Sequence, residues 1–104
     1  MEKKVRQCIP LLLAHFQLPD EELVLQEDTL DELERKLSSI IGYLLTHDLD
    51  RLMSAFYKID LSEQVFKKII SEAPPEEINS LLAKEVIQRE QQKLVTREKY
   101  RDFL

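Results

Sequence analysis

A chain of 104 residues with a single glycine has few ways to turn sharply, and this one places that glycine, Gly42, inside an apolar repeat instead of between two elements. Tight turns and hairpins draw on Gly, Asn and Asp, and an all-β architecture needs many of them. Runs of β-branched residues are few and tryptophan is missing. The expected class is therefore all-α, a four- to five-helix bundle. Hydrophobic residues make up 43% of the chain, enough for a core, and the length predicts one helical domain over residues 1–104.

Apolar spacing places the helices. Val5, Cys8, Ile9, Leu12, Leu13 and Phe16 recur every three or four residues, which predicts a helix over 3–17. Pro10 sits on its polar side and predicts a kink or a late start, because proline removes a backbone donor. Leu18-Pro19-Asp20 closes the element, and the acidic stretch 21–27 reads as a loop or irregular turn. Leu30, Leu33, Leu37, Ile40 and Leu44, widened by Ile41 and Leu45, form the most regular stripe, capped by Asp28 or Thr29. Two heptads are too few for a free-standing coiled coil, so this is a bundle helix. Gly42 within it costs up to about 1 kcal/mol against alanine, which a close helix approach would offset. Either that helix continues past His47 or Asp48 caps a new one; a bend near His47 is expected, with Leu49, Leu52, Met53, Phe56 and Ile59 inward. Ser62 caps the next helix, 63–72, with Leu61 and Phe66 as a hydrophobic staple and Phe66, Ile69, Ile70 and Ala73 buried. "APPEE" stops it and starts the last helix, whose core face is Ile78, Leu81, Leu82, Val86 and Ile87. From Gln88 to Lys93 the apolar pattern breaks. The helix either runs on to Tyr100 or gives way to a short final helix capped by Thr96.

Charge excludes some functions. The net charge of −5 argues against a whole-molecule electrostatic nucleic-acid binder. Acidic residues concentrate between Asp20 and Lys36, whereas Lys84–Leu104 and the N-terminal Lys3, Lys4 and Arg6 lean basic. Cys8 is the only cysteine, so no intramolecular disulfide forms and a reducing, cytoplasmic setting is expected. The apolar run Ile9–Ala14 reads as core helix and not as a signal peptide, and no stretch reaches the roughly 20 apolar residues a membrane span needs.

Catalytic constellations are missing. One glycine excludes phosphate-binding loops, dinucleotide fingerprints and nucleophile elbows. His15 and His47 have no Glu or His at helical ligand spacing, and His47-Asp48, the pair used by HD phosphohydrolases, stands here without a ligand set. "DLDRLMSAFYKI" opens like a calcium loop but lacks the central glycine and carries Ile59 where a bidentate Glu belongs. Cys8 reads as a structural thiol on an apolar face. The expectation is a non-enzymatic protein with no cofactor, no metal and no small-molecule ligand.

Two constellations remain. Ile59, Leu61, Ser62, Phe66, Ile69 and Ile70 fall in a helix-turn-helix register that presents Gln64, Lys67 and Lys68 to a DNA groove. Phe56 and Asp60 dissent, since that register wants a small residue and a turn glycine there. The second constellation is the C-terminal segment, 88–104, read as an extended, partner-facing tail. Arg89, Lys93, Arg97 and Arg101 recur every four residues, with Tyr100 and Lys99 alongside. Either they form a solvated face with pairs such as Glu85–Arg89 and Glu98–Arg101, or they form a basic ridge that meets an acidic surface. The region Asp20–Glu34 supplies such a surface on the same chain or a second copy, and Leu94, Val95, Phe103 and Leu104 would add apolar anchors. A homodimer, or a complex with another acidic-surfaced protein, through Arg89, Lys93, Arg97, Tyr100 and Arg101 is the expectation; the helix starting at Ser62 as a DNA reader is the alternative.

"LLTHDLDRLMSAFYKIDLSE" and "REQQKLVTREKY" resemble a group of small uncharacterised bacterial all-α proteins with a Tyr-x-Ile-Asp-x-Ser-Glu segment and a later Arg-x-x-Gln-Lys-x-x-x-Arg segment. The matching positions are Asp50–Leu52, Tyr57–Glu63, Arg89, Gln92, Lys93 and Arg97. The resemblance spans roughly residues 44–100 and implies a small helical domain. It implies no activity, cofactor or partner.

Overall fold

A computed structural model describes residues 2–101 of the chain, with side chains over 5–99. The described residues form five α-helices and no strand: α1 (Glu2–Phe16), α2 (Leu30–His47), α3 (Leu49–Ile59), α4 (Glu63–Glu72) and α5 (Ile78–Arg101). Short 3₁₀ turns, Asp20–Leu23 and Pro75–Glu77, precede α2 and α5. The all-α bundle expected from the turn-poor sequence is what forms.

Val5, Cys8, Leu12 and Phe16 are the buried residues of α1. Pro10 lies on the exposed side, so α1 runs through it with its missing hydrogen bond facing water. Two helices end in left-handed residues that are not glycine. At the end of α1, Gln17 has φ 55°, Leu18 N donates to Leu13 O (2.9 Å), and Gln17 N donates to Ala14 O (3.3 Å). At the end of α3, Asp60 has φ 64°, Leu61 N donates to Phe56 O (2.9 Å), and Asp60 N donates to Tyr57 O (3.1 Å). Both are Schellman caps, which normally recruit glycine because a Cβ is strained at that φ. The chain's one glycine is used elsewhere. A Cβ at Gly42 would meet Asn79 Nδ2 at 2.6 Å, so the close α2–α5 approach is made against a side chain.

Thr29 caps α2, its Oγ1 accepting from Glu32 N at 3.1 Å. The Glu32 carboxylate then accepts the amides of Gln26 (2.9 Å) and Glu27 (2.8 Å), which ties the acidic loop to the first turn. The backbone amide bonds, that of Gln26 first, hold this carboxyl below its usual range, with Lys36 and Arg35 adding to the effect against its own burial. The chain breaks at Asp48 (φ −154°, ψ 70°), whose side chain accepts from Arg51 N, so α2 and α3 are separate helices with the bend near His47. Leu49, expected inward, is 50% exposed, because the first turn of α3 swings it outside the bundle and Ala55 fills the core face. Arg51 donates Nε to Phe16 O at 2.9 Å and Nη2 to Gln17 O. It therefore satisfies carbonyls left open at the end of α1 and adds a cation at the negative end of that helix's dipole.

The helix expected over 63–72 forms with those bounds as α4, but it is peripheral. Phe66 and Ile69 lean on the core, with Phe66 5.5 Å from Phe56 between ring centroids, while Ile70, expected inside, is 41% exposed. Ser62 precedes α4 without a side-chain cap bond. Helix α5 is unbroken to Arg101; Thr96 sits within it and donates Oγ1 to Gln92 O at 3.0 Å, so no separate final helix begins there.

Candidate functional site

The last helix buries more than its apolar pattern announces. Its inward stripe runs Ala83, Ile87, Glu90, Leu94, spaced 4-3-4, so Glu90 occupies a position in phase with the core. Glu90 is 0% exposed, and Leu94 packs against the core beyond it. The apparent break from Gln88 to Lys93 is thus one polar substitution in a continuing stripe, and among the described residues the core contacts of α5 reach Leu94, beyond Ile87. From Val95 to Lys99 every described residue is exposed.

Glu90 is held across the bundle by α1. Its Oε2 lies 2.8 Å from Nδ1 of His15, whose side chain is 21% exposed, while Oε1 has no hydrogen-bond partner among the described residues. Burial pushes the Glu90 carboxyl above its ordinary range, and the His15 hydrogen bond and the charges of His15, Lys93 and Arg97 pull against that push. Cys8 lies on the same face of α1 as His15. Its thiol is pushed up to about 11, by burial first and by the Glu90 charge second. A thiol in that state carries almost no thiolate at neutral pH, so the Cys8–His15–Glu90 arrangement is not an activated nucleophile.

Beside this pair, α1 and α5 flank a groove of ≈ 870 Å³. Gln7, Pro10 and Leu11 line one side, and Arg89, Lys93, Leu94, Arg97 and one acid, Glu98, line the other with Gln92 and Thr96. Three of the five residues expected in a basic ridge therefore share one concavity. Arg89 donates Nη1 to Gln92 Oε1 at 3.0 Å and, among the described residues, leaves Nε buried without a partner; the Glu85–Arg89 pair of the solvated-face alternative does not form. Lys93 Nζ lies 3.5 Å from the carbonyl of Lys58, at the end of α3. Arg97 is exposed. Tyr100 and Arg101 belong to α5, but their side chains, like the anchors Phe103 and Leu104, lie outside the described residues.

The acidic counterpart is partly used within the fold. Asp28 is bound by Arg6, Glu32 by loop amides, and Glu34 approaches Lys84 at 3.9 Å. Asp20, Glu21, Glu22, Glu27 and Asp31 stay exposed. Among the described residues, no ion pair joins Arg89, Lys93 or Arg97 to that segment. On α4, Gln64, Lys67 and Lys68 are exposed, with Lys67 4.0 Å from Glu63.

The sequence offers His15 no partner at helical spacing. The partner comes from 75 residues away, and the only signal was the acid at an in-phase core position. Among the described residues, no group of three or more His, Cys, Asp or Glu is placed to hold a metal ion, and no helix is long and apolar enough to cross a membrane. Compared with known proteins, the chain matches no family model, no curated protein and no solved structure.

Proposed function

We propose that this chain is a non-enzymatic protein–protein interaction module that self-associates through its C-terminal helix, in a reducing compartment such as a bacterial cytoplasm. The observation that carries the reading is the groove between α1 and α5, where three cations outnumber the one acid, Glu98, and, among the described residues, form no ion pair with the acidic segment, whose Asp20, Glu21, Glu22, Glu27 and Asp31 remain exposed. A second copy supplies the complementary charge, and a two-fold arrangement lets each acidic loop face the other copy's groove. Leu11, Leu94 and the 46%-exposed Val95 add apolar contact, and the charges give register and encounter rate more than raw affinity.

Light scattering on the full chain, on a chain ending after Leu94, and on Arg97→Glu tests this. The cut spares Glu90 and Leu94, and the described residues it removes, Val95 to Lys99, are exposed. The full chain should be dimeric and weaken in salt, since exposed charge pairs are screened beyond about 10 Å at 0.1 M. The shortened chain and Arg97→Glu should be monomeric at the same concentration. Equal masses for all three would end the proposal.

A second reading, a helix-turn-helix-like DNA-binding regulator, is favoured by the left-handed Asp60 at the α3–α4 corner and the exposed Gln64, Lys67 and Lys68. Lys67 and Lys68 are few for phosphate affinity on a net-acidic chain. Salt-sensitive binding to duplex DNA, lost in Lys67→Glu plus Lys68→Glu, would select it over the first.

A further inference from the structure

We propose that Glu90 and His15 form a proton-linked control on the α1–α5 groove, such that self-association there takes up a proton and weakens as pH rises. This rests on the self-association reading above.

The geometry has three parts. Glu90 is wholly enclosed, holds one bond to His15, and leaves Oε1 without a partner. A carboxylate so placed lacks the hydrogen bonds that its charge demands. Lys93 and Arg97 follow Glu90 by three and seven residues, on the same helix face, and both line the groove. They are the cations that support the ionised form. The surrounding elements add little else: α1 contributes His15 and the uncharged Cys8 thiol, Arg51 of α3 is taken by the carbonyls of Phe16 and Gln17, and Glu34 of α2 faces Lys84.

An acidic surface entering the groove acts on Glu90 in one direction only. It adds negative charge, draws Lys93 and Arg97 toward itself, and excludes water. Each effect disfavours the carboxylate, so the bound state holds the proton more tightly. By linkage, the protonated form then binds more tightly by the same factor. Carboxylates of the incoming acidic loop behave oppositely, because pairing with cations lowers their proton affinity. The sign of proton exchange therefore separates Glu90 from the interface acids.

The test is the dimer dissociation constant of the full chain at pH 5.5, 6.5 and 7.5 and fixed ionic strength, for wild type and Glu90→Gln. With one Glu90 in each of the two grooves of the dimer, wild-type affinity should fall by up to about tenfold per pH unit for each proton taken up, and so by up to about a hundredfold for the pair within the titration range. Glu90→Gln, a neutral near-isostere, should lose the slope. Carboxyl-carbon NMR of wild-type Glu90 in dilute and concentrated samples supplies a readout that needs no variant: its midpoint should rise on association. A pH-independent dimer, an equal slope in both proteins, or an unmoved Glu90 midpoint would overturn this inference and leave the dimer standing. A wild-type chain monomeric at every pH would remove the self-association reading itself, and this inference with it.

Discussion

Replacing Glu90 with leucine should make the protein more stable, and by more at alkaline than at acid pH. The substitution completes the Ala83–Ile87–Leu94 stripe with the residue type its phase asks for. Burying a leucine contributes about 2 kcal/mol. Removing the unpartnered Oε1 relieves a desolvation cost of about 1–3 kcal/mol. Against these stands the lost bond to His15, about 1.5–3 kcal/mol for a hydrogen bond to a charged group, tempered because the His15 side chain is 21% exposed and can turn to water. The net is a gain of about 2 kcal/mol, within the range seen when buried ion pairs are replaced by apolar residues. For a domain of this size it corresponds to about 8–16 °C in Tm. The pH dependence follows from the raised Glu90 pKa. The folded state holds this proton more tightly than the unfolded chain, so the group's contribution is fully present below the ordinary carboxylate range and is lost as pH rises through the raised value. Cys8, Lys93 and Arg97 surround the group in both proteins, so the difference between them reports the Glu90–His15 pair. Calorimetric melts of both proteins at half-unit steps from pH 5 to 8 measure it. A Glu90→Leu protein that melts several degrees below wild type at pH 8, or whose advantage does not grow with pH, would refute the reasoning.

Removing the other partner should do the reverse: His15→Ala leaves a buried carboxylate with neither oxygen bonded and should cost about 3 kcal/mol, with most of it recovered in His15→Ala plus Glu90→Leu, by denaturant titration. Gln17→Gly and Asp60→Gly each relieve a left-handed side-chain-bearing residue and should gain up to about 1 kcal/mol; a lowered Tm for both would mean those side chains contribute contacts that outweigh the strain. Native Cys8, buried and with its thiol pushed up to about 11, should resist iodoacetamide at pH 7.5 until denaturant is added, as read by intact mass. Rapid labelling of the folded chain would count against the enclosed thiol.

Much of the architecture was legible because it depends on local rules. The helices over 3–17 and 63–72, a cap at Asp28 or Thr29, a bend near His47 and the stop at Pro74-Pro75 each rest on spacing or backbone chemistry within a few residues; which residue caps α2, and that the bend is a full break, came from the structure. What failed was of a different kind. Leu49 and Ile70 are apolar residues on stripes, but their helices meet the bundle at an angle or an edge, and only packing decides which end of a stripe is covered. Schellman caps at Gln17 and Asp60 were unreadable because the expected glycine signal was spent on the α2–α5 contact at Gly42. In the groove, the four-residue repeat of Arg89, Lys93 and Arg97 was visible as a ridge, while Gln7, Pro10 and Leu11, which turn that ridge into one wall of a concavity, were not.

By itself, then, the order of residues determined helix content, most helix ends and the charge asymmetry, since each is set by interactions that reach no further than the next turn. Only the tertiary structure decided that a glutamate would take a core position and that a histidine 75 positions away would hold it. The energy of a buried charge depends on solvent exclusion and on partners brought from elsewhere in the chain, and neither quantity exists until the helices have packed.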